Sequence, residues 1–331
     1  MKTLIVVNGG DAPGINSAIY HFVRLAEERG DQVIGAMGGL AGVIKRDFQP
    51  LTVGDVSPWQ AMAGSLLTSS REAVLSQPGA RERLLRILQG EAVNQVLLFG
   101  GDGTLQHALP LLHQWEIACI GLPTTIDNDV PGTERTLGHD SACNFACAVV
   151  DGIRATARAL PDRIFTLETL GGATGFLALA VAHAAGADAV LIPEYDFDLD
   201  TLANHLRQAV ERRRHALVVL SEGVSVKDSL AAALAVKTGI RVRDTRLGHA
   251  QRGGAPSHAD RLLAADMAHT AYEAIQQGNK QGVVVIKGGQ TSLRPGSLQG
   301  LAAPRPDPVL YTWVNRGLGG KDHSSISSRR N

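Results

Sequence analysis

The sequence predicts an α/β protein made of two doubly wound, parallel-sheet (Rossmann-like) domains, and three observations carry that expectation. Apolar runs of strand length at residues 4–7 (LIVV), 96–99 (VLLF) and 117–122 (IACIGL) read as buried parallel strands. The first two pass through glycine-rich turns into segments with helical periodicity. A second strand-and-helix series begins at Arg163, and 331 residues suffice for roughly two domains, each with its own core.

In chain order, the strand at 4–7 leads through NGGDAPG (residues 8–14) into an amphipathic helix over 16–28. Strand, glycine turn and helix start together form a pocket whose backbone N–H groups favour phosphate, although a tight reversal needing positive φ would use the same glycines. Next come a strand at 32–36, glycines 38, 39 and 42, and a polar segment to Ser57. Residues 64–71 (GSLLTSSR) follow, before a helix that Pro78 and Gly79 delay. Arg71 reads either as a solvated helix-start residue or as a phosphate ligand.

The strand at 96–99 ends in GGDGT (residues 100–104) and enters a helix over 105–115. Glycines let the backbone approach polyphosphate, and Asp102 suits Mg²⁺, which prefers few carboxylates plus phosphates. The strand at 117–122 delivers PTTIDND (residues 123–129), with two carboxylates at a strand's carboxyl end. Ligands bind there in open α/β sheets, and an Asp in that place can take a proton from a hydroxyl or hold a metal; an Asx-rich turn is the alternative.

A helix over 141–158 carries Cys143 and Cys147 one turn apart, which reads as packing. The second series comprises strands at 164–167, 189–192 and 216–220 with helices over 174–184 and 200–212. Glu222 follows its last strand as Asp127 follows one in the first domain. Residues 241–254 (RVRDTRLGHAQRGG) are expected to form a dense cationic loop, either a solvated charge run or a grip on a phosphate monoester. A helix over 257–276 and a strand over 282–286 then return the chain to the first sheet. Residues 309–314 add one further element, and 319–331, rich in Gly, Ser and Arg, are expected to be a disordered tail.

Lys plus Arg and Asp plus Glu each number 32, a balance that suggests neither a nucleic-acid nor a membrane-surface partner. Three cysteines fit neither a disulfide framework nor a four-ligand zinc site. With no signal-peptide core and no apolar stretch of spanning length, a cytoplasmic protein is expected.

Four strings in order, GGDAPG (9–14), GGDGT (100–104), TIDNDVPGT (125–133) and LGHAQRGG (247–254), resemble the ATP-type 6-phosphofructokinase family, from the first strand to about residue 290. The resemblance implies the phosphofructokinase fold: a donor domain of residues 1–138 plus about 252–303, a sugar-phosphate domain of 139–251, and a short element at 304–318. It implies ATP-dependent phosphorylation of fructose 6-phosphate. Asp127 would be the base toward the sugar 1-hydroxyl, with Thr125 orienting that end, and Asp102 would hold Mg²⁺. Gly10, Arg71, Gly101, Gly103 and Thr104 would surround the donor phosphates. Arg163, Arg243, His249 and Arg252 match residues that bind the sugar's 6-phosphate, Glu222 matches one bonding a sugar hydroxyl, and Leu170 and Gly171 fall in the substrate loop. The matches of Arg163 and Arg243 reach in from a neighbouring subunit, which implies a homotetramer or a homodimer.

Three departures from the family pattern stand out. Its Met-Gly-Arg string, whose Arg steadies the transferring phosphoryl group, is here Leu170-Gly171-Gly172, leaving Arg246 or a lysine as a substitute cation. Thr124 stands where ATP-type members have Gly and pyrophosphate-type members Lys, although Gly103 is ATP-like. At the effector site Tyr20 replaces an arginine, while Arg24, Arg213 and His215 fit. A pyrophosphate-dependent enzyme, a kinase of another sugar or polyol, and a weakly catalytic ligand-binding homologue therefore remain as alternatives.

Overall fold

The computed structural model describes residues 1–71 and 73–318. The chain opens with β1 (Lys2–Val7), α1 (Ile15–Glu28), β2 (Gln32–Ala36), α2 (Gly39–Lys45), β3 (Phe48–Pro50), the one-turn α3 (Val53–Val56) and α4 (Ala80–Gly90). It continues through β4 (Gln95–Gly100), α5 (Leu109–Gln114), β5 (Cys119–Thr125) and β6 (Leu137–Gly138). Helix α6 (His139–Ala159) leads into a second series, β7 (Arg163–Thr169), α7 (Phe176–Ala185), β8 (Ala189–Leu191), α8 (Leu199–Arg213), β9 (His215–Ser221), α9 (Lys227–Thr238) and β10 (Arg241–Arg246). Then α10 (His258–Gln276), β11 (Gln281–Lys287) and β12 (Gln290–Pro295) rejoin the first series, and α11 (Pro308–Val314) closes the described chain.

These elements form two compact units, one of residues 1–142 and 252–304, the other of 143–251 with the described part of 305–318. In the first, the sheet order is β12-β11-β5-β4-β1-β2-β3, with β6 on β5. Pairing is parallel except at the two edges, β2 with β3 and β11 with β12. Alternate side chains serve opposite faces. Leu4 and Val6, with Val96, Leu98, Cys119 and Val283, pack on a face shared with Leu84 and Leu109. On the other side α1 and α10 meet through Phe22 and Tyr272, edge to face at 5.5 Å. Burying each of these leucines contributes roughly 1.5–3 kcal/mol.

The second unit has a four-stranded parallel sheet, β10-β7-β9-β8. Along β7, Phe165 and Leu167 enter a core with α6, α7 and α11 residues, while Ile164 faces the opposite core with Leu202 and Leu206 of α8 and Leu234 of α9.

Register brings the functional turns together. Val7 pairs with Phe99, Phe99 with Leu122, and Gly100 with Pro123, so the segments leaving β1, β4 and β5 emerge at one edge. That edge holds the switch point between β1 and β4, where a doubly wound sheet opens a crevice.

Several sequence expectations need correction. The segment beginning at Arg241 is not a loop throughout: residues 241–246 form edge strand β10, and only 248–252 turn as a 3₁₀ segment. Alternating charged residues on an exposed edge hid a strand that period-2 burial would have announced. The strand expected over 117–122 is shifted to 119–125, because Thr124 and Thr125 continue the ladder with β6. Helices α2 and α9 and the antiparallel edge strands β3 and β12 are additions to the sequence expectation, and the helix expected over 105–115 begins with a π turn, Thr104–Ala108. The tail at 319–331 lies outside the described residues. Among the described residues no helix is long and apolar enough to cross a membrane.

Candidate active site

Asn8 ties the first two turns together. Its N–H donates to Phe99 O (2.9 Å), its Nδ2 donates to Thr104 Oγ1 (3.2 Å), and Thr104 Oγ1 donates to Asn8 O (3.3 Å). Gly100 must lack a side chain, since a Cβ there would stand 2.5 Å from Thr104 Cβ. Gly9 N–H donates to Ser70 O (2.9 Å) and Ser69 Oγ donates to Gly9 O (2.9 Å), so residues 69–71 lie along the β1 turn. This contact delivers Arg71. A Cβ built on Gly10 would meet Arg252 Nη1 at 2.9 Å and Arg71 Nη2 at 3.2 Å, so two guanidiniums close on one point.

Asp102 stands at the start of the helical segment after β4, where Gln106 Nε2 donates to its Oδ1 (3.1 Å). Gly103 is open, with nothing within 4 Å of its would-be Cβ. Downstream, His107 and the π turn open toward the same cavity.

The acid loop after β5 is held from behind. Asn128 adopts φ 56°, a left-handed conformation that Asn tolerates, and its Oδ1 accepts from Thr136 N (2.8 Å). Thr136 Oγ1 donates to Thr125 O (2.7 Å), and His139 Nδ1 donates to Ile126 O (2.7 Å). Asp127 N–H donates to Thr125 Oγ1 (3.2 Å). Both neighbours of Asp127 are thereby fixed, which sets the direction of its carboxylate.

A cavity of about 530 Å³ joins these parts. Asp102, Asp127 and Asp129 line one wall, Gly10, Arg71 and Arg252 another, and Leu40, Leu75, Ala108 and Leu111 give it an apolar end. Burial, then the charges of Asp127 and Asp102, push the Asp129 carboxyl up to about 6. Among the described residues no three acids, histidines or cysteines converge tightly enough to cage a metal. Carboxylates that share a cavity with Arg71 and Arg252 instead fit Mg²⁺, which takes one or two carboxylates and completes its shell with water and phosphate.

The second unit carries the remaining predicted residues in two places. Glu222 follows β9, and its Oε1 accepts from Gly172 N (2.8 Å) and Gly171 N (3.2 Å); Leu170 N–H donates to Gln251 Oε1 (2.9 Å). Gly171 and Gly172 both have positive φ, 144° and 59°. Arg163, in contrast, starts β7 at the far edge, and Arg243 lies within β10 opposite Phe165. His249 is exposed in the 3₁₀ turn. Arg246 is engaged: its guanidinium meets Asp228 (2.8 Å), Asp244 (3.0 Å) and Glu168 (3.6 Å). The suggestion that it substitutes for the cation missing at Gly172 finds no support in this geometry. Arg213 pairs with Asp188 beside His215, Arg154 and Arg158 in a cleft of about 260 Å³, while Arg24 pairs with Glu28 on α1.

Sequence reasoning overlooked Asn8 and His107 and gave Asp129 no separate role. An Asn directly before the double glycine was the available signal for the first.

Comparison with known proteins decides the family. The phosphofructokinase family model matches residues 2–275. The chain belongs to the phosphofructokinase family. An ATP-dependent 6-phosphofructokinase of Aquifex aeolicus is 37% identical over 294 residues, covering 88% of this chain and 91% of the relative. That of Lactobacillus delbrueckii subsp. bulgaricus is 37% identical over 289 residues, covering 87% and 90%. Among solved structures, phosphofructokinase from Saccharomyces cerevisiae superposes with a TM-score of 0.83 at 27% identity, over 89% of this chain and 44% of that longer one. A pyrophosphate-dependent phosphofructokinase from Nitrosospira multiformis reaches 0.83 at 18% identity, which speaks for the fold alone.

Proposed function

We propose that this phosphofructokinase-family protein transfers the γ-phosphoryl group of ATP to the 1-hydroxyl of fructose 6-phosphate. The observation that carries the reading is the cavity that Asp127, on a loop fixed at both neighbours, lines together with two guanidiniums gathered over Gly10.

Asp127 accepts the proton of the sugar O1, Thr125 orients that end of the acceptor, and the turn at residues 8–10 with Arg71 receives the donor phosphates. As O1 bonds to the γ-phosphorus, the bond to the β-phosphate oxygen breaks and ADP leaves. Little covalent chemistry falls to the protein, so positioning and charge stabilisation carry the rate. Asp102 would hold Mg²⁺, which supplies charge neutralisation on the donor phosphates when bound.

The apolar end of the cavity favours a nucleoside triphosphate over pyrophosphate, which has no base to place there. Thr124 points its hydroxyl at Leu122 O (3.0 Å) and brings no cation.

Arg163, Arg243 and His249 serve the acceptor's 6-phosphate. Arg163 and Arg243 stand away from Glu222 in their own sheet and act in a neighbouring copy, and an apolar cleft around Arg243, with Val149, Ile153 and Phe165, suits such a contact. We infer a homo-oligomer in the cytoplasm.

The test is a coupled assay crossing ATP, GTP and pyrophosphate with fructose 6-phosphate, sedoheptulose 7-phosphate, tagatose 6-phosphate and unphosphorylated sugars. Turnover highest with ATP and fructose 6-phosphate is expected. Faster turnover with pyrophosphate would overturn the donor, and preference for an unphosphorylated sugar would overturn the acceptor.

A further inference from the structure

Asn8 directly follows β1 and is buried, 8% exposed, in the wall of the cavity. Its backbone already joins the β1 and β4 turns: the N–H donates to Phe99 O (2.9 Å) and the carbonyl accepts from Thr104 Oγ1 (3.3 Å). The side chain adds a second connection. Its Nδ2 donates to Thr104 Oγ1 (3.2 Å), and its Oδ1 accepts from Leu40 N (3.4 Å). Thr104 has one hydroxyl proton and gives it to the Asn8 carbonyl, so its oxygen can only accept from the side chain. The amide therefore has one orientation, nitrogen toward Thr104 and oxygen toward α2.

Helix α2 uses that oxygen at its start. The first N–H groups of a helix have no partner inside it, and Gly38 at the N-cap brings no side chain to take one. The helix start is also closely seated: Gly39 has φ 64°, and a Cβ there would stand 2.8 Å from Val7 O, 3.0 Å from Ser70 N and 3.1 Å from Asn8 Oδ1. Leu40, whose N–H is held, lines the apolar end of the cavity, while Gly9 and Gly10, next after Asn8, line the cavity beside Arg71. One amide thus connects the glycine turns to the apolar end.

We infer that Asn8 is a positioning residue for donor choice: its side chain holds α2, and with it the seat for a base, at the distance from the glycine turns that a nucleoside triphosphate spans. The inference rests on the proposed function and deepens it, because it names the residue that favours a nucleotide over a base-free polyphosphate. A polyphosphate engages the glycine turns alone, which the backbone bonds of Asn8 hold whatever its side chain. A nucleotide engages both ends, and groups already fixed in place lose little freedom when it binds. Loss of the side chain should therefore weaken the nucleotide selectively.

The test measures KM for Mg·ATP, KM for fructose 6-phosphate and the inhibition constant of tripolyphosphate against ATP. The unaltered chain is compared with Asn8→Ala, Leu40→Ala and the double variant. Asn8→Ala is expected to raise KM for ATP by about tenfold, the order of one buried hydrogen bond, with the tripolyphosphate constant and KM for fructose 6-phosphate each within about threefold. Because Asn8 acts through Leu40, the double variant should exceed the worse single variant in KM for ATP by no more than about twofold. Four results would each overturn the inference and leave the phosphotransfer reading intact: KM for ATP within about threefold of the unaltered chain in Asn8→Ala, tripolyphosphate weakened there as much as ATP, multiplied effects in the double variant, or tripolyphosphate that fails to compete with ATP in the unaltered chain. Should Asn8→Ala fail to fold by thermal melting, Asn8→Ser, whose hydroxyl is too short to reach α2, is judged by the same measures. Absence of ATP-dependent turnover in the unaltered chain would overturn the proposed function and this inference with it.

Discussion

Arg163 and Glu222 stand at opposite ends of the same sheet. Arg163 opens β7 and pairs with His215, whereas Glu222 follows Ser221, which pairs with Thr169 at the other end. Seven residues of strand separate the two levels, roughly 20 Å at about 3.3 Å per residue. One acceptor cannot touch both within this unit, so a site using both draws them from two copies.

Subunit complementation follows. Arg163→Ser and Glu222→Gln, each nearly inactive alone, should regain activity when unfolded together and reassembled, because about a quarter of the sites in a random mixture are then intact. Activity no greater than the sum of the separate variants would assign both residues to one copy's site or to neither.

Asp129 should make stability depend on pH. Its carboxyl is pushed up to about 6, chiefly by burial and then by Asp127 and Asp102, so the folded state keeps a proton that the unfolded chain releases near 3.8. Stability therefore falls as pH rises between those values and levels off above, by roughly 3 kcal/mol if the whole shift is expressed. Asp129→Asn should flatten this part of the curve and raise stability at pH 7. Urea denaturation of both proteins at pH 4.5 and 7 measures it; parallel curves would refute the burial argument.

Arg246→Ala should leave kcat with fructose 6-phosphate within about threefold, because the guanidinium is engaged by Asp228, Asp244 and Glu168 on an exposed edge, where solvent screens such pairs. A loss of a hundredfold in steady-state assays would return it to the catalytic machinery.

What the sequence made legible was the part written in short-range chemistry. Glycine turns after apolar runs located β1 and β4, and the paired acids located the end of β5, because strand, turn and charge lie within a dozen residues of one another. The edge elements were harder. β10 is built from Arg241, Arg243, Asp244 and Arg246, whose charges resemble a loop, and its pairing with β7 appears only in three dimensions. The convergence of Arg71 and Arg252 over Gly10 was equally hidden, since 181 positions separate the two arginines and each reads locally as a surface cation. Likewise, the occupation of Arg246 depends on Asp228 from α9, a helix whose weak amphipathic pattern gave no warning.

The most direct measurement is the steady-state kinetics of Asp127→Asn with Mg·ATP and fructose 6-phosphate. The substitution keeps the shape of the side chain and removes the proton acceptor, while the loop remains fixed through Thr125, Thr136 and His139. A fall in kcat of about 10²–10⁴-fold, with KM for fructose 6-phosphate within a few-fold, is the predicted result. Turnover equal to that of the unaltered chain would contradict the assignment of this cavity's base.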